Sequence, residues 1–129
     1  ELGNKIYAPS YVSFETVLAQ AGINFQFYGQ IFLASYLTRE LTIGDQRYAY
    51  KRIQGEILTN TSGIVHERSV ARAVPERAFL DTLYVYPGYH FDNFSTLAWD
   101  TVFDLLPIYS NKRLEREVKR MHTRSQNDT

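Results

Sequence analysis

The chain has 129 residues, enough for one domain with a hydrophobic core and too few for two ordinary ones. Its 14 Lys and Arg balance 14 Asp and Glu, which excludes a chain held to nucleic acid by bulk charge and leaves that role to local charge. With no cysteine there is no disulfide framework, thiolate metal site or cysteine nucleophile. No run reaches the roughly 20 apolar residues of a membrane helix, and residues 1–5 do not read as a signal peptide, so a soluble cytoplasmic protein with no membrane partner is expected.

Residues 7–22 carry helix punctuation. Ser13 is placed to cap, Glu15 falls in the first turn, and Phe14, Val17, Leu18 and Ala21 repeat at helical spacing before Gly22. A connection rich in Phe and Tyr follows at 25–29. Residues 30–43 and 47–53 are β-branched and aromatic without helical period, and Gly44-Asp45-Gln46 between them reads as a hairpin turn. Weaker strand signals lie at 57–59 and 63–70, separated by the turn formers Asn60, Thr61, Ser62 and Gly63.

Pro75 opens a second helix, with Glu76 in position to complement its dipole. Ala78, Phe79, Leu83 and Tyr86 share a side flanked by Leu80 and Tyr84, so this helix is expected to be well buried, ending at Pro87-Gly88. Residues 91–106 read as two short helical pieces beginning near Asp92 and Asp100. A last helix is expected over about 110–124. Its basic residues Lys112, Arg113, Arg116, Lys119, Arg120 and Arg124 fall on one side, opposite a stripe of Leu114, Val118 and Met121. That side reads either as a contact for phosphates or as a solvated charged face.

No catalytic constellation emerges, and neither a cofactor nor a metal is expected. His66-Glu67 begins like a zinc-protease motif, but Val70 stands where the second histidine belongs. Asp45 ahead of a strand bearing Lys51 suggests a metal-dependent nuclease core, yet Ala49 occupies the position of the required acid. The bland reading is a turn aspartate and an exposed strand lysine. Within Pro75-Glu76-Arg77-Ala78-Phe79-Leu80-Asp81, Arg77 and Asp81 stand four apart and read on physical grounds as a surface ion pair worth a few tenths of a kcal/mol. The overall expectation is one α+β domain over residues 1–129, a twisted antiparallel or mixed sheet flanked by helices, with a basic C-terminal helix.

Three ordered motifs add a resemblance. Pro9-Ser10-Tyr11-Val12-Ser13-Phe14-Glu15-Thr16-Val17-Leu18 with Gly22, then Gly44, Tyr48, Tyr50 and Lys51, then Ala73, Pro75, Glu76, Arg77, Ala78, Phe79, Leu80, Asp81, Leu83 and Tyr84 together resemble the C-terminal domain of the AbiEi antitoxin and transcriptional-regulator family of bacterial abortive-infection (type IV toxin-antitoxin) systems. The departures are Thr16-Val17, one extra residue after Gly44, and Arg77 where lysine is commoner. The resemblance implies a non-enzymatic antitoxin domain that counters a nucleotidyltransferase-type toxin without stable binding to it. It also implies an N-terminal winged helix-turn-helix, absent from this chain, that represses the operon. Tyr11, Ser13, Glu15, Pro75, Glu76, Arg77 and Asp81 are then signature residues with a structural role. Lys112, Arg113, Arg116, Lys119, Arg120 and Arg124 are candidates for contact with operator DNA or the toxin's RNA target. A degenerate nuclease-like domain and a homodimerisation module using Tyr86, Tyr89, Phe91 and Phe94 are the alternatives.

Overall fold

In the computed structural model, which describes residues 8–26 and 29–127, a two-residue strand β1 (Tyr11–Val12) leads directly into helix α1 (Phe14–Gln20). The readings of residues 1–5 and of the centre of the 25–29 connection lie outside the described residues. Ser13 stands at the N-cap but makes no capping bond, because its hydroxyl is committed elsewhere. Phe14 enters the helix at φ 55°, a left-handed conformation that costs a non-glycine residue on the order of 1–3 kcal/mol. Full burial of its ring offsets that with about 1.5–3 kcal/mol.

The stretch expected as one strand over 30–43 is two. Strand β2 (Gln30–Ser35) runs parallel to β4 (Gln46–Arg52), and β3 (Arg39–Ile43) lies on the far side of β4, antiparallel to it. The chain must leave the sheet after Ser35 to pass around β4, and Tyr36 is exposed in that passage. Thr38 Oγ1 and Ser35 O receive the backbone N–H groups of Arg52 and Ile53 at 3.2 and 2.9 Å, which fixes the detour. The hairpin between β3 and β4 turns at Gly44, whose φ of 59° supplies the required positive dihedral.

Residues expected as a strand at 57–59 instead belong to a helical turn, α2 (Gly55–Thr59). Ile57 and Leu58 are buried, and carbonyls of this turn and of the loop after it point to a common donor described below. The region 63–70 is the first arm of a hairpin, β5 (Ile64–Glu67) with β6 (Val70–Ala73), turning through Arg68 and Ser69, both at positive φ.

β6 pairs in parallel with β1, and β1 with β2 antiparallel, giving one six-stranded sheet in the order β3-β4-β2-β1-β6-β5. Helix α3 (Pro75–Val85) begins at Pro75 as expected and packs on α1. No helix starts near Asp92, whose carboxylate and backbone N–H, with the side-chain amide and backbone N–H of Asn93, tie this segment to residues 22–25. Helix α4 (Trp99–Leu105) continues into a 3-10 turn (Leu106–Tyr109), and α5 (Lys112–Asn127) closes the chain, its Leu114 N–H capped by Asn111 Oδ1 at 2.9 Å. Leu114, Val118 and Met121 are buried in the same core as the sheet. Among the described residues the molecule forms a single α+β domain, a six-stranded mixed sheet with five α-helices. No helix among the described residues is long and apolar enough to cross a membrane.

Candidate functional site

Arg77 and Asp81 do not form a surface pair. Both side chains are fully buried, with Arg77 Nε 3.9 Å from Asp81 Oδ1. The reason is topological: their side of α3 faces β1 and the loop after α2. Arg77 Nη1 donates to Asn60 O at 2.7 Å and to Ser62 O, and Nη2 donates to Ile57 O at 2.6 Å and to Tyr11 OH at 3.2 Å. A planar five-donor guanidinium suits this fan of carbonyls where an ammonium would not. Asp81 in turn accepts from Tyr11 OH and Ser13 Oγ, each at 2.8 Å, and from Tyr109 OH at 2.6 Å. Tyr11 and Ser13 of the first motif and Arg77 and Asp81 of the third therefore meet in one buried polar cluster.

Burial pushes the Asp81 carboxyl above the usual carboxylate range, while Arg77 and the three hydroxyl donors pull the other way. Burial, reinforced by the neighbouring Asp81 charge, holds the Tyr11 and Tyr109 phenols well above their ordinary pKa. The cluster is enclosed and hydrogen-bonded except at Arg77 Nε, which has only the 3.9 Å contact with Asp81 Oδ1, and so has no room for a substrate. The cluster clamps β1, the loop after α2 and the 3-10 turn onto α3, and that is a structural task.

Glu76 and Glu15 also do more than complement helix dipoles. Glu76 Oε2 accepts the Ala98 N–H at 2.9 Å, setting where α4 begins. Glu15 accepts from Lys51 Nζ and from Tyr89 OH, both at 3.2 Å. Lys51 is thus not an exposed strand lysine. Its side chain is 15% exposed, and its ammonium lies 4.5, 4.7 and 5.2 Å from the ring centroids of Tyr86, Phe32 and Phe14, an arrangement with cation–π stabilisation. Among the described residues no three His, Cys, Asp or Glu gather as a metal site.

The basic face of α5 is real but smaller than the sequence suggested. Lys112, Arg116, Lys119, Arg120 and Arg124 are exposed along one side, opposite the buried stripe. Arg113 turns inward: its guanidinium donates to Leu83 O and Tyr84 O at 3.0 and 3.1 Å and to Glu117 Oε1 at 3.0 Å. Position 113 lies over the end of α3, where unpaired carbonyls need donors, so this residue is removed from the phosphate-contacting set. The aromatics proposed for dimerisation are likewise engaged. Phe91 is buried, and Tyr89 and Phe94 are half-buried in a chain of ring contacts, leaving Tyr86 exposed.

Comparison of the chain with protein-family models, curated proteins and solved structures gave no match. Tyr109 escaped the sequence reading and completes the Asp81 site from the far end of the domain; Lys51, read there as an exposed strand lysine, finds Glu15 across the boundary between α1 and β4.

Proposed function

We propose that the chain is a non-catalytic antitoxin and transcriptional-regulator domain that counters a nucleotidyltransferase-type toxin and reaches nucleic acid through the outer face of α5. The observation that carries the reading is that face: five exposed cations on one side of a helix whose other side is anchored in the core. The anchored helix backbone fixes the spacing of such an array, and each of its cations can pair with a phosphate. The antitoxin part rests on the three motifs, whose Tyr11, Ser13, Arg77 and Asp81 serve the frame and leave the surface to act. Binding of duplex DNA or tRNA is expected to weaken with salt. Five neutralised phosphates correspond to a slope of log affinity against log salt of about −4.5 on B-DNA, and Arg116→Ala with Arg120→Ala should flatten it by about 1.8. No binding at low salt, or an unchanged slope, contradicts the reading.

A second reading, a degenerate nuclease-like domain, is favoured by the meeting of Glu15 with Lys51. It is opposed by Ala49, which provides no carboxylate beside that lysine. Metal-dependent cleavage of DNA or RNA by the purified chain would establish it.

A further inference from the structure

Beside the basic face, a cleft of about 890 Å³ opens between α5 and the 88–99 segment. Tyr89, Phe94 and Trp99 line it from one wall, Arg120 and Arg124 from the other. The same two arginines, with Lys119, border a shallower groove running over the helix, so the cleft is continuous with the charged surface. Its two carboxylates are already occupied. Glu117 accepts from Arg113 and from the Gly88 N–H at 2.7 Å, and Asp92 accepts the Phe25 N–H at 2.9 Å beside His90. Arg113 balances Glu117 and Asp92 keeps its charge, so Arg120 and Arg124 leave the rim with a net positive charge.

Flat rings on one wall and guanidinium groups on the other match a ligand with an aromatic base and a phosphate. Aromatic side chains stack on any base, and arginine meets phosphate with paired donors. A volume in the range of small-molecule sites gives room for one such unit. A base locked in a duplex presents no free face to such a wall.

We propose that this cleft binds an unpaired nucleoside 5′-phosphate unit, its base against Phe94 and Trp99 and its phosphate held by Arg120 and Arg124. The proposal deepens the nucleic-acid reading of α5 and rests on it: the outer face takes the backbone, the cleft takes a base.

Trp99 is the sole tryptophan of the chain, so its fluorescence reports the cleft directly. The purified chain is titrated at low salt with adenosine 5′-monophosphate, ribose 5-phosphate and single-stranded octa-adenylate RNA, with duplex DNA binding measured in parallel by anisotropy. Saturable quenching by the nucleotide and by the RNA is expected, with none from ribose 5-phosphate. Tighter binding of the RNA assigns the cleft to a strand; equal affinity per site assigns it to the free nucleotide. Arg120→Ala and Arg124→Ala, both exposed and not expected to disturb folding, should each weaken binding roughly tenfold, the loss of a charge-assisted contact. Unmoved fluorescence, competition by ribose 5-phosphate as strong as by the nucleotide, or wild-type affinity in both variants overturns the proposal. Salt-dependent duplex binding without a nucleotide response leaves the outer face standing and removes the cleft; absence of both removes both.

Discussion

Replacing Asp81 by alanine tests the role of the buried cluster. The carboxylate is fully enclosed, accepts three hydroxyl hydrogen bonds of 2.6, 2.8 and 2.8 Å and faces the Arg77 guanidinium. Its removal strands a buried cation, which costs about 3–5 kcal/mol in comparable sites, and it also leaves Ser13 and Tyr109 without their acceptor. We expect a loss of about 4 kcal/mol, against a total stability on the order of 5–15 kcal/mol. With a urea dependence of about 2 kcal/mol per molar, the midpoint should fall by about 2 M. Trp99 packs edge-on against Phe79 of α3 at 5.9 Å, so its fluorescence follows the relevant unfolding. Asp81→Asn, which keeps an acceptor, should lose about half as much, and Arg120→Ala on the exposed face should stay within about 0.5 kcal/mol of wild type. A loss below about 1 kcal/mol for Asp81→Ala would mean the pair behaves as a surface ion pair, and the clamp account would fail.

The phenols supply a pH signature. Tyr11 and Tyr109 ionise less readily folded than unfolded, so the stability they contribute is complete below about pH 10, the unfolded value, and declines as pH rises from there toward the folded value. In Tyr109→Phe the decline above pH 10, followed by urea midpoints, should be shallower by about 1.4 kcal/mol per pH unit; parallel curves refute the assignment. At Gly63, φ is +76° and an added Cβ would lie 3.1 Å from Leu105 Cδ1 and 3.2 Å from Arg77 Cβ. Gly63→Ala should cost about 2–3 kcal/mol through left-handed strain and crowding, lowering the thermal midpoint by about 10 °C; calorimetry showing no shift contradicts this.

Elements set by local chemistry were legible in the sequence. The Pro75 start of α3, the Gly44 hairpin and the apolar stripe of α5 each follow from a dihedral requirement or a periodicity confined to a few residues. What could not be read depends on contacts distant along the chain. The strand over 30–43 breaks because β2 must pair in parallel with β4, a demand no local pattern carries. Residues 57–59 favour a strand by composition yet form a helical turn, with Arg77 collecting carbonyls from the turn and from the loop that follows it. Ser13 has the chemistry of a cap, and Asp81 takes its hydroxyl instead. The same competition removes Arg113 from the basic face, since helical spacing fixes the side of a helix but not what lies against it.

The most direct measurement is growth relief in cells that express the product of the gene adjacent to this one. Wild-type chain and the Arg116→Ala, Arg120→Ala double variant are each co-expressed with it at matched soluble levels. The account predicts that the wild-type chain relieves the arrest and that the double variant, folded but stripped of central charges on the α5 face, does not. Persistent arrest with the wild-type chain, or equal protection by the variant, would contradict it.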